Sequence, residues 1–200
     1  MEGRTVTEPT VVTFNGPFGW FAEGDASVFE SAASRKPGIY LWTVVTEGHG
    51  ELVYYVGETG REFRLRFAEH LKEQLSGWYR LNDPQGMRAG VRVPLWPGLY
   101  GPSRQKTVAP FLERLSTLGP SLRDFVHMVR FHLATYEGDA RMRKRIEAAV
   151  AQHLYRQADP VGSYQEPDIH YDPKLPEEGA VQVIVRSGVP IRGLPELVAA

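Results

Sequence analysis

The chain has 200 residues, a formal net charge of −1 and no cysteine, so it is sized for one domain with its own core and excludes disulfides, thiolate metal sites and a cysteine nucleophile. Its first thirty residues carry Glu2, Arg4, Glu8, Pro9, Glu23 and Asp25 with no apolar run, so no signal peptide is expected, and no stretch reaches the ~20 apolar residues of a membrane span. These features fit a cytoplasmic protein with no membrane partner.

In chain order, Thr10 to Phe14 is a short β-prone run. Asp25 is placed to cap a brief helix through Phe29 and Ala33, which Pro37-Gly38 would end. Ile39 to Val45 and Leu52 to Val56 are apolar, β-branched or aromatic, and Glu47-Gly48-His49-Gly50 between them predicts an antiparallel hairpin. Spacing then becomes helical, with Phe63, Phe67, Leu71, Leu75 and Trp78 on one face and Arg66 and His70 projecting together from a neighbouring one. Residues 82–110 are rich in Pro and Gly with no long periodic element, which marks a functional or mobile insertion.

Thr107 to Leu118 predicts a helix ended by Gly119-Pro120, and alternation from Phe125 to Leu133 predicts a third core strand. Asp139 then caps a helix that turns Met142, Ile146, Ala149, Val150 and Leu154 inward. An acid-rich, Pro-rich connector from Glu166 to Glu178 follows, and Val181 to Val185 is a late strand placed to pair with the N-terminal run.

Charge is segregated along this order. Residues 80–145 hold twelve Arg/Lys against five Asp/Glu, a segment charge of +7 that leaves −8 for the rest. Arg141, Arg143, Lys144 and Arg145 are its densest cluster. Such a run is either a solvated helix face or a surface that meets phosphates.

Hydrolysis of a phosphodiester requires a way to activate water, positive groups for the charge developing on phosphate and, commonly, a metal ligand. Glu147 lies about 100° round its helix from Ile146, at the edge of the buried stripe, where it can hold a divalent cation or simply pair with Arg143. Arg66 can clamp a phosphate through two parallel hydrogen bonds, or bridge to Glu62 or Glu69. His70 titrates near neutrality and can carry a proton. Tyr40 and Tyr55 are ordinary half-buried sheet residues unless a neighbouring charge lowers a phenol pKa. Trp78, Tyr79, Trp96 and Tyr100 lie near basic residues and can stack on bases or pack a loop. Asp168-Ile169-His170-Tyr171-Asp172 has ligand-capable groups, but its Pro-rich setting reads as a solvated loop.

The order of these residues is more specific than any one of them. Gly38-Ile39-Tyr40, a hairpin, Tyr55-Val56-Gly57, a helix with Arg66-x-x-x-His70, a strand, and a helix with Glu147 together resemble the GIY-YIG nuclease family over roughly residues 36–160. The Arg-x-x-x-His spacing resembles its restriction-endonuclease branch. The resemblance implies an α+β fold, a small antiparallel three-stranded sheet flanked by helices, here carrying a basic insertion (80–123) and terminal extensions (1–35 and 161–200) within one domain. It implies catalytic roles for Tyr40, Tyr55, Arg66, His70 and Glu147, with Arg64 as a rival for the arginine. Glu147 would hold Mg²⁺, with Mn²⁺ as a substitute.

The implied activity is metal-dependent hydrolysis of DNA, double-stranded by expectation, with Arg61, Arg64, Arg88, Arg92, Arg141 and Lys144 as candidate DNA contacts. A double-strand cutter with one site per chain needs a dimer or two sequential nicks. The family's closing asparagine has no counterpart, and Asp159 is nearest to its place. The alternative that this raises is a module of the same fold that binds nucleic acid without cutting it.

Overall fold

The computed structural model describes residues 9–100 and 107–200; the start of the N-terminal extension and residues 101–106 of the basic insertion lie outside the described residues. The elements run β1 (Thr10–Gly19), β2 (Ala26–Ser27), a 3-10 turn (Ala32–Arg35), β3 (Gly38–Thr46), β4 (Gly50–Thr59) and α1 (Phe63–Leu75). The insertion contributes β5 (Leu81–Asn82), α2 (Pro84–Arg88), β6 (Pro94–Trp96) and α3 (Ala109–Glu113). Then come α4 (Leu115–Met128), β7 (Arg130–Thr135), α5 (Ala140–Tyr155), α6 (Val161–Tyr164), β8 (Gln182–Ser187) and β9 (Leu197–Ala199). Among the described residues no helix is long and apolar enough to cross a membrane.

The expected antiparallel trio forms, but it is only one end of the sheet. Strand order is β4-β3-β7-β1-β8-β9, with β2 beside β1, so the sheet is seven-stranded and mixed rather than small and three-stranded. The reason lies at the free edge of β7, whose unpaired backbone groups would otherwise need partners. β1 takes that edge in antiparallel fashion, and β8 then pairs parallel to β1 with Val12 opposite Val185. Val12, Phe14, Val183 and Val185 are all buried, so the terminal segments contribute core as well as hydrogen bonds. β5 and β6 form a separate two-stranded ribbon.

Two helical boundaries also differ from expectation. Gly119-Pro120 does not end a helix, because α4 runs through it. An interior Pro costs about 3 kcal/mol and a Gly about 1, whereas burying Leu118, Leu122, Phe125 and Val126 along one side contributes roughly 1.5–3 kcal/mol each. Phe125 and Val126 are neighbours and both buried, which helical spacing allows and alternation does not. The third strand therefore starts at Arg130 rather than Phe125. Near the N-terminus, Asp25 caps no helix; the short turn there is 3-10 and is capped by Ser31.

In α1 the buried stripe is Phe63, Phe67, His70 and Gln74, while Leu75 is exposed. His70 thus sits on the inner face itself. α1 lays Phe63 and Phe67 edge-on against Tyr40 and joins Trp20, Trp42 and Phe131 in one aromatic core. α5 packs against β3, β4 and β9.

Candidate active site

The two glycines of the strand motifs are required by close approaches. A Cβ on Gly57 would lie 2.4 Å from Cζ of Tyr40, its partner across the β3–β4 ladder. A Cβ on Gly38 would lie 2.1 Å from the Ala134 carbonyl oxygen. Gly57 therefore lets the Tyr40 ring lie flat over β4, and Gly38 lets β3 press against β7. The ladder also slips once, since Trp42 faces Tyr55 but Thr43 faces Val53, which leaves Tyr54 as the extra residue of a bulge. Such an irregularity re-aims side chains. Tyr54 and Tyr55, adjacent in sequence, both reach the wall of one cavity of about 470 Å³.

Four of the five proposed catalytic side chains gather beside that cavity. Tyr40 is fully buried, and its hydroxyl lies 2.7 Å from His70 Nε2. The other imidazole nitrogen, Nδ1, is 2.7 Å from the Tyr79 hydroxyl. Burial, and then the Arg66 charge, hold the imidazole well below its usual pKa, so it is neutral, with one nitrogen donating and the other accepting. Burial raises both the Tyr40 and Tyr55 phenols. Arg66 pulls both down and does not win, so neither phenol is lowered in the free protein.

Burial works against the Arg66 charge, but the phenols of Tyr40, Tyr79 and Tyr55 around it raise its pKa overall. Among the described residues its one ion-pair partner, Glu69 at 3.3 Å, is already held by Arg61 through two bonds of 2.8 and 2.7 Å. Arg66 is thus a cation ringed by hydroxyls with only a shared counter-charge. Arg64, its rival, is exposed and paired with Glu62.

Glu147 approaches from α5. Arg143, its expected partner, instead meets Glu58 at 2.5 Å, and among the described residues Glu147 makes no ion pair. Burial, then the Glu58 charge, push its carboxyl up to about 8. The Glu147 charge in turn helps burial to raise the Tyr55 phenol, and Glu147 is not among the residues that line the cavity. Among the described residues no group of three or more His, Asp or Glu converges as a metal cage. Mg²⁺ takes only one or two protein carboxylates and keeps several waters. A desolvated carboxylate that holds its proton to about 8, with a second acid beside it, fits that requirement, because a cation would replace the proton.

The candidate DNA contacts divide. Arg61 and Arg64 are exposed on the α1 side. Arg88 ends α2 and lines a separate hollow with Phe21 and Asp25. Arg92 is almost buried, bonded to Glu166 at 2.6 Å, which removes it from the set of DNA contacts. Arg141 grips Glu178 at 2.7 Å, and Lys144 meets Asp172 at 2.7 Å. The basic run of α5 is therefore neither a free solvated face nor an open phosphate surface: Arg141 and Lys144 dock the acidic connector and Arg143 holds Glu58 of β4. The acids of the 168–172 cluster follow the same rule, with Asp172 on Lys144 and Asp168 at 3.8 Å from Arg80. Asp159 is exposed beyond the end of α5 and lines neither cavity.

Three further residues belong to the site. Tyr79 bonds His70, Tyr54 lines the cavity, and Tyr171 lies where the charges of Tyr55 and Glu147 both reach it, its hydroxyl donating to the Val56 carbonyl at 3.3 Å. Of these, Tyr79 had a sequence signal, as one of four aromatics near basic residues. Trp96 of that group packs on Phe111 and donates Nε1–H to Gly77 O instead. Compared with known proteins, the chain matches no protein-family model, and no curated protein or solved structure matches it significantly.

Proposed function

We propose that the chain is a metal-dependent endonuclease that hydrolyses DNA phosphodiester bonds at a GIY-YIG-type site. The observation that carries this reading is the under-compensated Arg66 guanidinium beside a hydrogen-bonded Tyr40–His70–Tyr79 chain, at the wall of an open cavity with a desolvated Glu147 nearby.

Arg66 takes a phosphate through parallel hydrogen bonds and stabilises the charge that grows on it as water attacks phosphorus. Tyr55 is on the cavity wall and Tyr40 lies behind it, each hydroxyl near enough to shift the other. The proton leaving water then has a path inward: Tyr55 accepts it and passes its own to Tyr40, which passes one to His70 Nε2. The imidazolium that results donates Nδ1–H to Tyr79. Burial is the larger part of what disfavours that imidazolium; the Arg66 charge is the rest, and a bound phosphate would offset only that part. As the new O–P bond forms, the bond to the leaving oxygen breaks and a solvent water protonates that oxygen, while the proton on His70 returns to solvent along the same relay. A divalent cation on Glu147, with Glu58 adjacent, would neutralise phosphate charge and acidify a coordinated water.

The test is nicking of supercoiled plasmid in Mg²⁺ or Mn²⁺. Wild type should yield open-circular or linear DNA, and Glu147→Gln, folded by circular dichroism, should not. Absence of any metal-dependent product from wild type would overturn the reading. The alternative of a binding module that does not cut draws on Asp159, which stands exposed and apart from the site; it predicts DNA binding with no cleavage in either metal.

A further inference from the structure

The cavity beside the candidate site has a wall that phosphodiester hydrolysis does not use. At about 470 Å³ it falls within the roughly 300–1,000 Å³ of sites that take small molecules. Two features of the wall define its chemistry. First, it is aromatic on several sides. Tyr100 lies over Trp78 and Tyr79, with ring centroids 5.4 and 5.6 Å apart, and Trp42, Tyr54 and Tyr55 stand on the strands. Second, it carries a cation: Arg66 lines it and shares its acid, Glu69, with Arg61.

Trp42 Nε1, Tyr54 Oη and Asn82 Oδ1 belong to wall residues but are themselves enclosed behind the surface, so a ligand in the cavity meets chiefly rings. Such rings stack on the flat face of any nucleobase. Arg66 lines the same cavity, so a phosphate held there is attached within reach of the wall.

We propose that this cavity is a nucleobase pocket, which receives one base swung out of a DNA strand while the phosphate beside it lies on Arg66. The proposal rests on the nuclease reading for the role of Arg66, but stacking on the wall requires no cleavage. Trp78, Tyr79 and Tyr100 form the outer stacking surface, and Trp42, Tyr54 and Tyr55 form the inner wall. Extruding the base would also turn its flanking phosphate away from the duplex axis and towards the Tyr55–Tyr40 relay.

Binding can be measured by fluorescence anisotropy in EDTA, so that turnover plays no part. The probes are a labelled twelve-residue thymidine strand and a labelled twelve-residue abasic strand with the same phosphodiester backbone. Stacking of one base on aromatic side chains predicts that the thymidine strand binds roughly 5- to 150-fold more tightly. Trp78→Ala and Tyr100→Ala, which change outer residues and leave the core intact, should shrink that ratio towards one while affinity for the abasic strand is kept. Arg66→Ala should weaken both strands and preserve the ratio. Equal affinity of wild type for the two strands, or a ratio that survives both aromatic substitutions, overturns the pocket. A protein that shows the ratio but never cuts plasmid overturns only the nuclease reading, and one that cuts plasmid without the ratio overturns only the pocket.

Discussion

The two faces of the β4–β3–β7 end of the sheet each bury one histidine, and the two are treated in opposite ways. On one face, with Tyr40, Trp42 and Phe131, His70 bonds two phenols at 2.7 Å and has the Arg66 charge beside it. On the other, with Leu41, Thr43 and Arg130, His132 bonds the Glu51 carboxylate at 2.7 Å. Glu51 also takes the Thr43 hydroxyl at 2.5 Å and lies 3.8 Å from Arg130. Burial would raise the Glu51 carboxyl, but the hydrogen bonds from His132 and Thr43 outweigh it and leave the pKa lowered. Gly16 closes this cluster, since a Cβ there would come within 2.9 Å of His132 Nδ1. The His132 face balances its charges internally, and where it meets the hollow beside Arg88 its cation, Arg130, is paired with Asp25 at 2.8 Å. The His70 face keeps a cation without a counter-charge of its own and opens on a cavity. Imbalance beside an opening separates a site from a structural polar cluster.

The sharpest way to break this comparison is to remove the unbalanced cation. Arg66→Ala should lower the cleavage rate by on the order of 10²–10³ with the fold retained, by analogy with loss of one transition-state donor. Arg64→Ala, which removes an exposed partner of Glu62, should leave the rate within about twofold. Equal losses from the two substitutions in a plasmid time course would mean that Arg66 acts only through net charge.

The other face should respond in stability. Glu51→Ala leaves His132 and Thr43 without their shared acceptor, so it should cost on the order of 3 kcal/mol in urea unfolding. Cleavage per folded molecule should stay unchanged. A drop in rate without a drop in stability would transfer the functional label to the wrong face.

Glu147 ranks next. Its carboxyl is raised from the ordinary range to about 8, so the folded protein holds a proton that the unfolded chain has released. That contribution is fully present below the unfolded value and is lost as pH rises through about 8. Wild type should therefore lose stability relative to Glu147→Gln between pH 5 and pH 9, by on the order of 2 kcal/mol after discounting for partial exposure. Added Mg²⁺ should restore stability at pH 9 in wild type and not in the variant. A pH-independent difference between the two proteins would show that Glu147 is not desolvated in solution.

What the sequence made legible follows from distance along the chain. Tyr40, Tyr55, Arg66 and His70 lie on two adjoining strands and the next helix, so local spacing was enough to group them, and helical phase placed Glu147 at the edge of its buried stripe. The extent of the sheet was not legible. The late strand was expected to pair with the N-terminal run, but nothing local to either says that β1 also takes the edge of β7. Glu51 and His132 meet across 81 positions, and Arg92 and Glu166 across 74, so neither pairing has a spacing to read. The helix through Pro120 is hidden in the sequence because alternation from Phe125 and helical spacing from Leu118 share the same apolar residues. Only the burial of both Phe125 and Val126 separates them.

The smallest predicted effect tests whether His70 belongs to a chain or to a pair. Tyr79 was visible only as an aromatic near basic residues, and its hydroxyl is the second partner of the imidazole. If Nε2 accepts a proton from Tyr40, then Nδ1 must carry hydrogen and donate it to the Tyr79 oxygen. Tyr79→Phe removes that acceptor, keeps the ring and frees the imidazole to turn over its tautomer. The expected loss is about 1 kcal/mol of transition-state stabilisation, or roughly fivefold in rate. Affinity for DNA in EDTA should be unchanged, because the stacking face of the ring is retained. A Tyr79→Phe protein that cuts at the wild-type rate would reduce the relay to Tyr40 and His70. One that fails to bind would show that the Tyr79 hydroxyl itself, and not only the ring face, contacts DNA.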